Sequence, residues 1–151
     1  LAATLTSTDG MFGARRDVHP VRHLLGTAAG WGGNPSYAAW YASVTPERND
    51  ASVAYALTLR DVPADGFWSV TVYNADGYME TNAREAYAFN SATAEPDFHG
   101  SATVHFGACD DGRVNCLPVV PGWSYVLRLY QPKDEVLDGR WQMPKARPLL
   151  P

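Results

Sequence analysis

DGFWSVTVYNADGYM, residues 65–79, decides the class of fold. Trp68, Val70 and Val72 fall on one face of an extended chain, and Phe67, Ser69, Thr71 and Tyr73 fall on the other. That period of two is the mark of a half-buried strand. NADG follows, with Gly77 free to take a positive φ, so the strand is predicted to run straight into a tight hairpin turn.

The same pattern spreads outward from this stretch. Upstream, SVAYALTLRDV (52–62) sets Val53, Tyr55, Leu57 and Leu59 against Ala54, Ala56, Thr58 and Arg60. Downstream, SATVHFGA (101–108) sets Ala102, Val104 and Phe106 against Thr103 and His105. SYVLRLYQP (124–132) sets Tyr125, Leu127 and Leu129 against Val126, Arg128 and Tyr130. NAREAYAFN (82–90) is expected to give a turn and a strand, and GRWQMP (139–144) a last short strand. In all, six to eight short strands are expected, punctuated by turn chemistry such as VPADG and TAEPDFHGS. No helical pattern of 10–15 residues separates them, as a parallel sheet would require. An all-β antiparallel sandwich of jelly-roll type is the predicted architecture.

Helix is confined to the first third. In DVHPVRHLLG (17–26), Pro20 suits a first turn and Gly26 an end, so one or two turns are expected. Asn34-Pro35 opens a further turn, which should pass into a strand through Trp40 and Tyr41. Residues 1–16 read as a lead-in segment, 17–148 as one domain and 149–151 as a tail. The chain opens on Leu1 rather than Met, so an upstream signal peptide or preceding domain is expected.

At 151 residues with 46% apolar content, the chain has enough core for one ordinary domain without a metal scaffold. The net charge is −4, and Arg15, Arg16, Arg140, Lys145 and Arg147 form no run that would track a phosphate backbone, which argues against nucleic acid. No apolar stretch approaches the roughly 20 residues of a membrane span. GTAAGWGGNP (26–35) lacks the spacing of a phosphate-cradling loop.

Cys109 and Cys116 flank GACDDGRVNC, whose turn residues allow the two thiols to meet. A loop-closing disulfide is the leading reading, and it would imply an oxidising compartment. A zinc site with His105 as third ligand falls one ligand short, and two free thiols are the remaining alternative. DDGRVN has too few acids for an EF-hand loop. His19, His23, His99 and His105 show neither HxH nor HExxH spacing, so no metal and no cofactor is expected.

Four segments, GTAAGWGGNP, DVPADGFWSVTVYNADGY, HFGACDDGRVNCLPVVPGWSYVLRLYQP and DGRWQMP, taken in order, resemble the DUF1214 family. The likeness covers about residues 17–148. That domain usually forms the C-terminal half of bacterial proteins whose N-terminal half is DUF1254. The resemblance implies a jelly-roll-like β-sandwich and an exported protein, periplasmic or extracellular. It carries no catalytic residues over, because the family is named for its unknown function.

Three sets of side chains are candidates for function. Trp68, Tyr73, Asn74 and Tyr78 would line the mouth of the sandwich and hold a sugar-like or other small polar ligand, although Asn74 in such a turn usually bonds nearby backbone. Arg128, between apolar positions, needs a partner. That partner is either a structural carboxylate (Asp61, Glu135 or Asp138) or the acidic group of a ligand. Trp31, Trp40 and Tyr41 would dock a companion domain or a second copy of the chain. A binding module is the leading function. The rival is a hydrolase-like enzyme with His105 as base and Arg128 as substrate anchor, although no GxSxG elbow is present: NPSYA and GWSYV lack that turn.

Overall fold

The alternating segments become strands whose apolar sides meet. The computed structural model describes residues 8–30 and 32–149. Within them, strands β1 (Ala39–Val44), β7 (Ser124–Tyr130), β3 (Trp68–Tyr73) and β4 (Ala88–Asn90) form one sheet in that spatial order. Strands β6 (Cys116–Leu117), β5 (Ala102–Phe106), β2 (Tyr55–Leu59) and β8 (Arg147–Pro148) form the other. Every pairing is antiparallel except β5 with β6, which is parallel. This is an all-β sandwich.

Its core comes from the inward residues of both sheets. Leu57, Val70, Val104, Phe106, Leu117, Trp123, Tyr125, Leu127 and Leu129 have no exposed surface. Phe106 of one sheet stacks on Tyr125 of the other and on Trp123 just before β7, at ring separations of 4.9 and 5.1 Å. Burying each such side chain contributes roughly 1.5–3 kcal/mol. The alternation expected for β2, β5 and β7 is the alternation found, and β3 departs from it only at Thr71, which is buried as well.

Departures occur where the elements are short. GRWQMP (139–144) forms no strand. Trp141 and Met143 still turn toward the core, and Trp141 meets Trp40 edge-to-face at 5.8 Å, so the period was real while the ladder was not. β8 instead lies just downstream, pairing Ala56 with Arg147. A single helical turn, α2 (Asp134–Leu137), follows β7. The NADG turn forms, with Gly77 at φ +84. No strand follows it directly, because Asn82 draws residues 82–86 into a second turn by accepting from the Arg84 and Ala86 N–H groups, and β4 returns only at Ala88.

Residues 8–36 make an arm before the sandwich. Helix α1 spans Pro20–Gly30, three turns rather than one or two, and runs through Gly26. A Cβ at Gly26 would stand 3.0 Å from Met11 Cβ, so the glycine gives Met11 and Phe12 room to seat against the helix. Arg22 Nε donates to the Asp9 carbonyl, and His23 Nδ1 donates to the Met11 carbonyl. The opposite side of α1 carries Val21, Leu24 and Ala28, spaced i, i+3, i+7, and all three are exposed.

Candidate functional site

Arg128 occupies the centre of β7, half-buried on the outer face of its sheet. Its Cα partners are Tyr41 on β1 and Ser69 on β3. The guanidinium leans along β3, where alternation places Thr71 and Tyr73 on the same face. Nη1 donates to Thr71 Oγ1 at 3.0 Å and Nη2 to Tyr73 Oη at 2.6 Å. The charge also lies 5.7 Å from the centre of the Tyr73 ring, within cation–π range. Thr71 is itself buried. Among the described residues no carboxylate comes within 4.0 Å of Arg128. Two of the three acids expected to pair with it are engaged elsewhere: Asp61 with Arg60, and Asp138 with Arg140 at 2.7 Å. Two hydroxyls therefore replace the expected ion pair, leaving a guanidinium with donors to spare and no neutralising charge.

The proposed ligand set is not assembled on one side. Trp68 lies on the inner face of β3, 8% exposed, whereas Tyr73 points outward. Asn74 caps its own turn, its Oδ1 accepting from the Asp76 and Tyr78 N–H groups and its Nδ2 donating to Glu80. Tyr78 stands out in solvent at the tip of that turn.

His105 sits half-buried on the outer face of β5. Its Nδ1 is 3.0 Å from the Val114 carbonyl, which can only accept, so Nδ1 carries the proton and Nε2 is left free. A carbonyl thus orients this ring, where a hydrolytic base would use a carboxylate. The neighbouring Thr103 hydroxyl is bonded to Thr58 Oγ1 at 2.9 Å. Behind His105, Cys109 and Cys116 form a disulfide with a Cα separation of 5.5 Å, so their sulfurs are bonded to each other and do not ligate zinc. Within that loop Asp111 is gripped by Arg113, whose side-chain hydrogen bonds hold the carboxyl down at about 2. No group of three His, Cys, Asp or Glu side chains among the described residues is placed to hold a metal ion.

Of the docking candidates, Trp31 lies outside the described residues. Trp40 turns inward and packs against the core and Trp141. Tyr41 faces outward on the Arg128 side, its hydroxyl accepting from the Asn34 backbone N–H and side-chain amide at 3.2 and 2.8 Å. Besides Phe67, Tyr78, Met79, Phe98, Val114 and Leu137 elsewhere, the exposed large apolar side chains among the described residues are Val21 and Leu24 of α1 and Tyr37 in the loop before β1. Sequence reading passed over them because a three-turn helix was not expected there.

A model of the family described as a protein of unknown function (DUF1214) matches residues 36–134. The chain belongs to the DUF1214 family. Both β3 and β7, and so Arg128, Thr71 and Tyr73, lie inside the matched segment, while α1 lies outside it. The solved structure of the VPA0106 protein from Vibrio parahaemolyticus is similar to this DUF1214 chain, with a TM-score of 0.78 at 25% identity. That match covers 99% of this chain and 41% of the Vibrio chain. A second structure, of an uncharacterised protein from Burkholderia cenocepacia, matches at a TM-score of 0.58 and 21% identity, covering 78% of this chain and 31% of its own. The chain therefore spans less than half the length of these solved relatives. No curated protein matches it.

Proposed function

We propose that this DUF1214 chain is a docking module, and that α1 lays its apolar stripe against a companion domain of the same polypeptide. One observation carries the reading: Val21 and Leu24 are 58% and 69% exposed on a helix braced by residues 8–12 on its other side. An isolated helix of eleven residues is marginal in water and draws its stability from burying an apolar face. Here the face turned away from the arm is apolar, and Val21 and Leu24 on it remain exposed. The length of the solved relatives supports a companion in the same chain over a second copy. The disulfide supports an exported protein, periplasmic or extracellular.

Hydrogen exchange tests the reading directly. The amides of residues 21–30 should exchange fast in the 151-residue chain and become protected in the complete gene product. Equal protection in both would refute it, and protection that rises with concentration of the 151-residue chain would assign the face to a homodimer.

A second reading has its own observation. The unneutralised Arg128, with Tyr73, Thr71 and Tyr41 around it, favours an acidic group on the outer sheet face, brought by a small polar ligand. Arg128→Ala should abolish binding of such a ligand without unfolding the chain. The hydrolytic alternative gains no support from the carbonyl-bonded His105.

A further inference from the structure

The second sheet carries a feature that neither reading uses. On its outer face the register aligns three residues in a row: Arg147 of β8, Ala56 of β2 and His105 of β5. The next row is the bonded pair Thr58 and Thr103. Residues 144–147 run beside β2, and together with Ala56 and Thr58 they line an open groove of about 630 Å³. That volume is in the range of small-molecule sites. Ala56 and Pro144 add apolar lining, while Ala146 also packs against the core. The polar groups are cations and hydroxyls: Lys145, Arg147 and Thr58.

Neither Lys145 nor Arg147 has a carboxylate within 4.0 Å among the described residues. The two cations are two residues apart, so their Cα atoms are separated by no more than about 7 Å.

We infer that this groove binds a small dicarboxylate of four or five carbons. Arg147 receives one carboxylate on its fork of N–H donors, which matches carboxylate geometry. Lys145 receives the other. The short methylene body lies over Ala56 and against Pro144, and the Thr58 hydroxyl donates to a ligand oxygen. None of the residues that line the groove belongs to α1.

Calorimetric titration of the 151-residue chain with succinate tests this, with acetate and inorganic phosphate as comparison probes. Succinate should bind one to one, at least tenfold tighter than acetate or phosphate. Arg147→Ala and Lys145→Ala should each weaken it by tenfold or more, while Leu24→Ser leaves it unchanged. Amide shifts of Ala56, Thr58 and Arg147 in the unmodified protein locate the site without relying on any variant. No succinate binding at millimolar concentration, or shifts elsewhere on the surface, would overturn the assignment. Phosphate binding as tightly as succinate would overturn the dicarboxylate and leave an unspecific anion site. An effect of Leu24→Ser on succinate would overturn the independence from α1, whereas failure of the docking reading alone leaves the titration untouched.

Discussion

Replacing both Val21 and Leu24 by serine separates the role of α1 in its own chain from its role against a partner. Full burial of a valine or leucine side chain is worth about 1.5–3 kcal/mol. With 58% and 69% of these residues still exposed, each has about 1–2 kcal/mol left to gain, and the pair about 3 kcal/mol. In the 151-residue chain the part of each residue already covered is the smaller one, so on the same scale the double substitution should cost about 1–2 kcal/mol there. In the complete gene product the same change should loosen docking by about two powers of ten. Urea denaturation of both forms measures the difference, and exchange of the residue 21–30 amides reports where the loss falls. A cost above about 3 kcal/mol in the short chain would mean that the stripe packs within the arm. An unchanged complete protein would mean that nothing covers it. Either result refutes the docking argument.

Three further outcomes follow from other parts of the molecule. Converting Cys109 and Cys116 together to serine opens a loop of eight residues, which on loop-closure entropy costs about 2.5 kcal/mol. The melting temperature should fall by roughly 5–10 °C, and a fall under about 2 °C would contradict the estimate. Arg128→Leu leaves no carboxylate unpaired, so denaturation should show a loss below about 2 kcal/mol, whereas a loss of about 3–5 kcal/mol would reveal a hidden ion pair. Asp111, held near 2 by Arg113 against an ordinary 3.8, has a lowered folded-state value. Its contribution is thus fully present above about pH 4 and disappears as the pH falls through 2. In Arg113→Ala the Asp111 carboxyl, followed by carbon NMR, should titrate close to 3.8; no movement would show that another donor holds it.

How much of this was legible depends on how many residues each element repeats its pattern over. β2, β3, β5 and β7 alternate for five to seven residues, and one buried face is enough to fix their orientation. β6 and β8 have two residues each, too few to show any period, so the parallel β5–β6 pair and the strand at Arg147 carried no signal. GRWQMP misled in an instructive way. Trp141 and Met143 do alternate toward the core, but burial of alternate side chains is a packing property, and a strand also needs a neighbour with free backbone groups.

The site was less legible, because side chains on one face were readable and their partners were not. Parity along β3 put Tyr73 and Thr71 opposite Trp68, yet only the register Ser69–Arg128 shows that the guanidinium reaches those two hydroxyls. The expectation of a carboxylate partner failed for a reason visible across the molecule. Many of its acids bind at short range: Asp50 accepts from the Ser52 N–H, Asp97 from His99, Asp111 from Arg113 and Asp138 from Arg140, each two residues on. Such turn bonds form locally and hold carboxylates in the loops. The strands, placed by apolar alternation, carry Arg128 and Arg147 onto outer sheet faces where those acids do not reach. A chain of net charge −4 thereby presents cations on both sides of its sandwich. Most bases also lie in loops beside these acids, as Arg60, Arg113 and Arg140 do, and Arg128 and Arg147 differ from them because strand pairing sets them apart from such neighbours.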